Sequence, residues 1–186
     1  MSSETNTPRK IIVQAAVSAD WYIARADGAV DWLDRPQPKD HYGLVEFVQS
    51  IDTVLWGRKT YDKGIEFGMK NGNGFGPGIK NYLFSRHPPA SLLPGFELAQ
   101  KPVKEFAQEL RATPGKDVWM MGGGELIAAF LDEGEIDEFS LHVIPVLIGE
   151  GISLVQPRHR TIPLKLLATK SHPDDVLHLH YGVLGR

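Results

Sequence analysis

The chain has no cysteine. Disulfides, thiolate metal sites and a cysteine nucleophile are therefore excluded, and the fold must be held by packing. Lysine and arginine nowhere form a long cluster, and 20 basic against 23 acidic residues give a formal charge of -3. A nucleic-acid binder normally shows a basic patch or stripe, so this balance disfavours that class. A continuous apolar run of about 18 residues is also missing, which argues against a membrane-spanning helix. The opening MSSETNTPRK is polar and lacks the apolar core of a signal peptide, so a cytoplasmic protein is the expectation. Internal repeats and low-complexity tracts are absent. The glycine-rich stretch Gly68 to Asn81 comes nearest to one, and it reads as a loop because strand patterns continue on both sides.

What remains is a chain of ordinary globular composition, with 42% apolar and 23% charged residues in 186. That length suits one domain with a real core. Residues 1–8 are expected as a flexible tail and 9–186 as a single domain. Lys10 to Val17 is apolar and β-branched enough for an internal strand. Tyr42 to Ser50 has Leu44, Val45, Phe47 and Val48 at helical spacing, and Val54 to Trp56 follows as a strand. Asn81 to Ser85 and, more weakly, Phe96 to Ala99 give two more strands. The amphipathic PVKEFAQELRA could open with Pro102 as its first helical residue. Val118 to Met121 then reads as a buried strand and Glu125 to Leu131 as a helix. After Ile136 the pattern changes to strand-like runs without strong helices between them. Alternating strands and helices followed by terminal strands predict an α/β fold. This would be a three-layer α/β/α sandwich whose mostly parallel central sheet gains antiparallel strands at its C-terminal end.

Chemistry should gather outside the carboxyl ends of the parallel strands. Gly122, Gly123 and Gly124 occupy one strand-to-helix turn, where bare backbone N–H groups and a helix N-terminus favour an anionic group such as phosphate. Glycine in such a turn also serves simply to relieve strain, and the three residues alone do not decide between these readings. At the end of the second strand, GRKTYD offers Gly57, Arg58 and Thr60. At the end of the third, FSRH places Ser85 and Arg86 together, a hydroxyl and a guanidinium suited to a phosphate monoester. Three strand ends with phosphate-compatible chemistry point to a nucleotide-type ligand.

The order of AAVSADWYIA, DTVLWGRKTYD, YLFSRH, VWMMGGGELIAAFLDEGEIDEFSLHVIPVLIGEGISLV and HLHYGV, from about Arg9 to Gly182, resembles the dihydrofolate reductase superfamily. It is closest to the branch holding the reductase domain of the riboflavin-biosynthesis deaminase-reductase. The resemblance implies a dihydrofolate reductase-like fold and an NADPH-dependent oxidoreductase. Its substrate would be a pterin, a ribosylaminopyrimidine or a similar small heterocycle, so that the enzyme would act like a 5-amino-6-(5-phosphoribosylamino)uracil reductase or like dihydrofolate reductase itself. Carried onto this chain, Ala16 and Ile23 would flank the nicotinamide, and Gly57, Arg58 and Thr60 would touch the adenosine-side phosphates. Ser85 and Arg86 would hold the 2′-phosphate. Gly122, Gly123, Gly124, Glu125 and Leu126 would lie along the pyrophosphate, and a homodimer through the C-terminal strands is implied. A nucleotide-binding protein that has lost turnover is the alternative.

Trp21 stands where that branch has glycine, and an indole there calls for ordinary backbone angles and would cover part of the pocket. An acid near the first helix could be Asp31, Asp34 or Asp40, although each also reads as a loop or cap residue. His142, on a strand bordering the substrate in the family, could hydrogen-bond a heterocycle or donate a proton, or could be a satisfied sheet histidine. Trp32 and Glu150 are the candidate substrate-binding residues. His178 and His180 share one strand face, where packing is a simpler role than metal binding. Trp56 and Trp119 read as core.

Overall fold

In the computed structural model, residues 8–185 are described; of the expected N-terminal tail all but Pro8 lies outside them. Eight strands form one sheet: β1 (Ile11–Ser18), β3 (Ile51–Gly57), β4 (Lys80–Phe84), β5 (Phe96–Leu98), β6 (Asp117–Gly122), β7 (Glu138–Ile144), β9 (Leu164–Ser171) and β10 (Leu177–Val183). They run in the order β5-β4-β3-β6-β1-β7-β10-β9. The five pairings from β5 to β7 are parallel, and β10 pairs antiparallel with both β7 and β9. A separate two-stranded ribbon joins β2 (Tyr22–Ala24) to β8 (Ile152–Ser153). The expected three-layer mixed sheet is observed.

Alternate residues of the strands feed two separate cores, as the two-residue period of a strand requires. Ile11, Val13 and Val17 of β1, with Val118, Met120, Phe139 and Leu141, pack beneath α3 (Val103–Ala112) and α4 (Gly124–Asp132). Val54, Trp56, Leu83 and Trp119 face the other way, under α1 (Leu44–Ser50) and α2 (Arg58–Glu66). Pro102 caps α3 rather than opening it. No helix among the described residues is long and apolar enough to cross a membrane.

The amino ends of the strands are tied by charge. Arg9, 6% exposed, pairs with Asp52 and also bonds the Thr53 hydroxyl and the Lys116 and Leu110 carbonyls. Arg111 joins Glu135 and Asp137, which precede β7. Asp137 also accepts the Ile11 N–H. The far edge is different. β9 is exposed along all eight residues, with Leu164, Leu166 and Leu167 each 44–50% exposed.

One backbone expectation is corrected here. Trp21 sits at φ 67, the left-handed region that favours glycine, and its indole is 45% exposed. Its N–H bonds Ser18 O and its carbonyl accepts from Leu154, so the turn and the ribbon hold it there despite the cost to a side chain with a Cβ.

Candidate active site

Strand register brings the three phosphate-compatible ends to one edge. Gly57 pairs with Phe84, the residue before Ser85, and Trp56 pairs with Gly122. A Cβ on Gly57 would lie 3.0 Å from Gly122 O and 3.1 Å from Gly123 N, and one on Gly123 would lie 3.3 Å from Thr60 Oγ1. The two turns therefore press backbone on backbone, and the N-termini of α2 and α4 emerge side by side. The first N–H groups of a helix have no intrahelical partner, so this junction concentrates donors and positive dipole ends in one place. Gly122 has φ 91, and a Cβ on Gly124 would strike Ser153 O at 2.5 Å. Packing thus gives each of the three glycines an internal reason, beside any role toward a ligand.

Around this junction stand the other candidates. Ile23 approaches Gly123, its Cδ1 being 3.8 Å from the Cβ position. Arg58 grips both Asp62 carboxylate oxygens at 2.8 Å and the His87 carbonyl at 2.6 Å, while Ser85 Oγ accepts from His87 N–H at 3.1 Å. Arg58 thus shapes the Ser85–His87 loop with Nε and one terminal nitrogen. Arg86 is exposed and makes no side-chain hydrogen bond or ion pair among the described residues. Glu125 is exposed at the start of α4 and Leu126 is buried.

A cavity of about 200 Å³ lies on the α1 side of the sheet, lined by Gln14, Ala16, Leu33, Arg35, Gln37, His41, Tyr42, Leu44, Trp119, His142 and Ile144. Trp119 and Gly122 are three residues apart on β6, so cavity and glycine junction are about 10 Å apart along the strand. The volume is below that of a typical drug-sized pocket and suits one flat ring system, leaving any longer ligand to run along the open edge.

Of the predicted site residues, Ala16 and His142 meet in this cavity and are paired across β1 and β7. His142 is 6% exposed and stacks on His178 with ring centroids 4.4 Å apart. Burial, with His178 beside it, pushes its pKa from 6.5 down to about 4. Its Nε2 lies 3.1 Å from Tyr42 O, and a carbonyl only accepts, so Nε2 carries the hydrogen. At neutral pH His142 is therefore an uncharged ring already donating to backbone.

His178 bonds Ser140 Oγ at 2.8 Å and His180 bonds Glu138 at 2.8 Å, both as parts of the sheet face. Lys10 holds Glu138 from the other side.

The three aspartates do not line the cavity. Asp31 forms a two-toothed pair with Arg25 at 2.6 and 2.8 Å, which holds its carboxyl below the usual range. Asp34 is exposed after the short 3₁₀ turn Asp31–Leu33. Asp40 caps the turn His41–Gly43 by accepting from Tyr42 N–H and faces Lys170 at 3.7 Å. Trp32 is buried against Ile144 and Val176 and does not line the cavity. Glu150 is exposed in the loop after β7.

Sequence reasoning missed Gln14, Arg35, Gln37, His41 and Tyr42; Trp119, read as core, is buried in the core and also lines the cavity. Tyr42 lies at φ 58, between His41 at 45 and Gly43 at 81, and its hydroxyl bonds Asp174 at 2.5 Å. Burial and that bond raise its pKa to about 12. Arg35 reaches the Asp174 carbonyl at 2.5 Å. The β9–β10 turn thus fastens the segment that roofs the cavity.

These features define a parallel-sheet α/β protein with an anion-compatible double helix terminus beside a small flat cavity. The chain belongs to the RibD C-terminal domain family, whose model it matches over residues 98–178. An uncharacterized Bacillus subtilis protein, YwjB, is 34% identical over 175 residues, spanning 93% of this chain and 97% of that one. Among solved structures, a Shewanella sp. PV-4 protein assigned to riboflavin biosynthesis superposes with a TM-score of 0.82 at 24% identity, covering 95% of this chain and 99% of that one. Dihydrofolate reductase from Enterococcus faecalis, solved with NADP(H), gives 0.65 at 13% identity over 95% and 97%. The fold is dihydrofolate reductase-like.

Proposed function

We propose that this chain is an NADPH-dependent reductase that transfers a hydride to a flat polar heterocycle of the ribosylaminopyrimidine or pterin kind. The carrying observation is the junction of Gly57 with Gly122 and Gly123, which sets two helix N-termini side by side next to a ring-sized cavity. The donor set fits the cofactor. Gly57, Arg58 and Thr60 would face its adenosine-side phosphates, with the backbone from Gly122 to Leu126 along the pyrophosphate. Ser85 and the uncommitted Arg86 would take the 2′-phosphate. Ala16 and Ile23 would flank the nicotinamide, which when bound supplies the hydride.

The cavity residues would do the rest. Leu33, Leu44, Ile144 and Trp119 exclude water around the ring, and neutral His142 leaves Nδ1 as an acceptor toward it. No carboxylate lines the cavity among the described residues, so protonation falls to water or to His41 at the mouth. The same observation favours a second reading, nucleotide binding without turnover. It disfavours dihydrofolate reductase proper, which needs a carboxylate with two hydrogen bonds to the pterin.

Tryptophan-fluorescence titration with NADPH and NADH tests the cofactor site. Tight NADPH binding is expected, weakened roughly tenfold or more in Arg86→Ala with NADH little changed, since a charge-assisted phosphate contact is lost. Absence of binding by either nucleotide would overturn the reductase reading, whereas binding without oxidation across a panel of pterins and pyrimidines would support the second one. The exposed leucines of β9 support a homodimer through that edge.

A further inference from the structure

We propose that Gln14 reads the substrate ring, and that it selects rings with a lactam or imide edge, an N–H beside a C=O. The proposal rests on the cavity being the substrate site.

Gln14 lies on β1 opposite Ser140, with its side chain on the cavity wall. Its backbone carbonyl accepts from Trp119 Nε1 at 3.0 Å, which fixes the indole as a wall next to the Gln14 amide. The other polar residues of the cavity each have at least one protein partner, although among the described residues Arg35 Nε is buried without one and His142 Nδ1 is open. Arg35 and Tyr42 are bound to Asp174, His142 Nε2 to the Tyr42 carbonyl, and His41 to Gln37 at 3.3 Å. The Gln14 carboxamide alone has no partner for either its oxygen or its nitrogen among the described residues, while it is half-buried.

A half-buried amide without a protein partner wants a ligand or water with matching donors and acceptors. A carboxamide presents one acceptor beside donors in one plane, and a lactam edge presents the mirror pattern. A protonated amidine edge, with two adjacent N–H donors, would set a donor against the Gln14 NH₂ and calls for a carboxylate instead. None stands on this wall, so the cavity is built for the first kind of ring and against the second.

The test is calorimetric titration of the full chain with 2,4-dioxopyrimidine (uracil) and 2,4-diaminopyrimidine at mildly acidic pH, where the diamino ring carries a proton; the two share one ring and differ only in these edges. Wild type should prefer the dioxo compound. In Gln14→Met, of similar volume, its affinity should fall roughly tenfold or more, because a two-bond polar match is lost. In Gln14→Glu the preference should reverse toward the diamino compound. Thermal melts of both variants confirm folding, and NADPH titration runs alongside. If both variants keep the wild-type preference, or if wild type binds neither ring, the proposal is overturned. Failure of NADPH to bind while the ring preferences shift as stated would sink the cofactor reading and leave the Gln14 assignment standing.

Discussion

Acid should destabilise this protein earlier than its carboxylates alone would, because of one histidine. His142 has its pKa lowered from 6.5 to about 4 by burial and by the ring of His178, with His172 and Lys170 also facing it and no carboxylate to offset them. In the unfolded chain it takes a proton as the pH falls through 6.5, while in the folded chain it resists until about 4. The unfolded state then binds more protons, so stability is lost on acidification, none of it above the unfolded value. The difference of 2.5 between those two values corresponds to about 3 kcal/mol at full effect and about 2 kcal/mol at pH 5. His178, lowered in the same direction, adds to the trend. The measurement is urea unfolding at pH 7, 6, 5 and 4.5 for wild type and His142→Gln, which retains a donor toward Tyr42 O. The wild type should lose stability steadily over this range and the variant about 2 kcal/mol less by pH 5. Parallel curves for the two proteins would refute the argument. Asp20, Asp31 and Asp174, each held below the usual range, release their stabilisation only below about pH 4, so they do not mimic the effect.

Further outcomes concern backbone and surface. Gly57→Ala puts a Cβ 3.0 Å from Gly122 O, where only strand backbone could yield; it should cost about 1–3 kcal/mol in a thermal or urea melt and weaken NADPH binding. Trp21→Gly removes a side chain from a left-handed position and should raise stability by about 1 kcal/mol, read as a shift in the urea midpoint. Leu166→Lys on the exposed edge should halve the mass seen by light scattering at micromolar concentration with stability changed by less than about 0.5 kcal/mol; a wild-type mass of one chain would refute the dimer.

Much of the architecture was legible because it depends on patterns of neighbouring residues. β1, β3, β4 and β6 announce themselves as apolar β-branched runs, and the convergence of Gly57, Ser85 and Gly122 follows once those strands are parallel. Helix α2 was missed because RKTYDKGIE buries only Tyr61 and carries too few apolar residues for a helical period. The ribbon of β2 and β8 is too short to signal itself. The cavity was hidden for a different reason. Gln14 reads as one polar residue in an apolar strand, and only the fold reveals that this face is roofed by residues 33–44. Aspartates near the first helix looked available in the sequence, but each found local work with Arg25, a turn or solvent.

The sheet has two ends of different character, and that bears on how such a protein could change over time. Arg9 and Arg111 bolt the amino ends with buried ion pairs, while the carboxyl end offers bare backbone, a few uncommitted side chains and loops. New substrates can be tried by altering residues at one end without loosening the other. The scaffold is in this sense permissive, and its evolvability resides in the distance between what holds it together and what it uses.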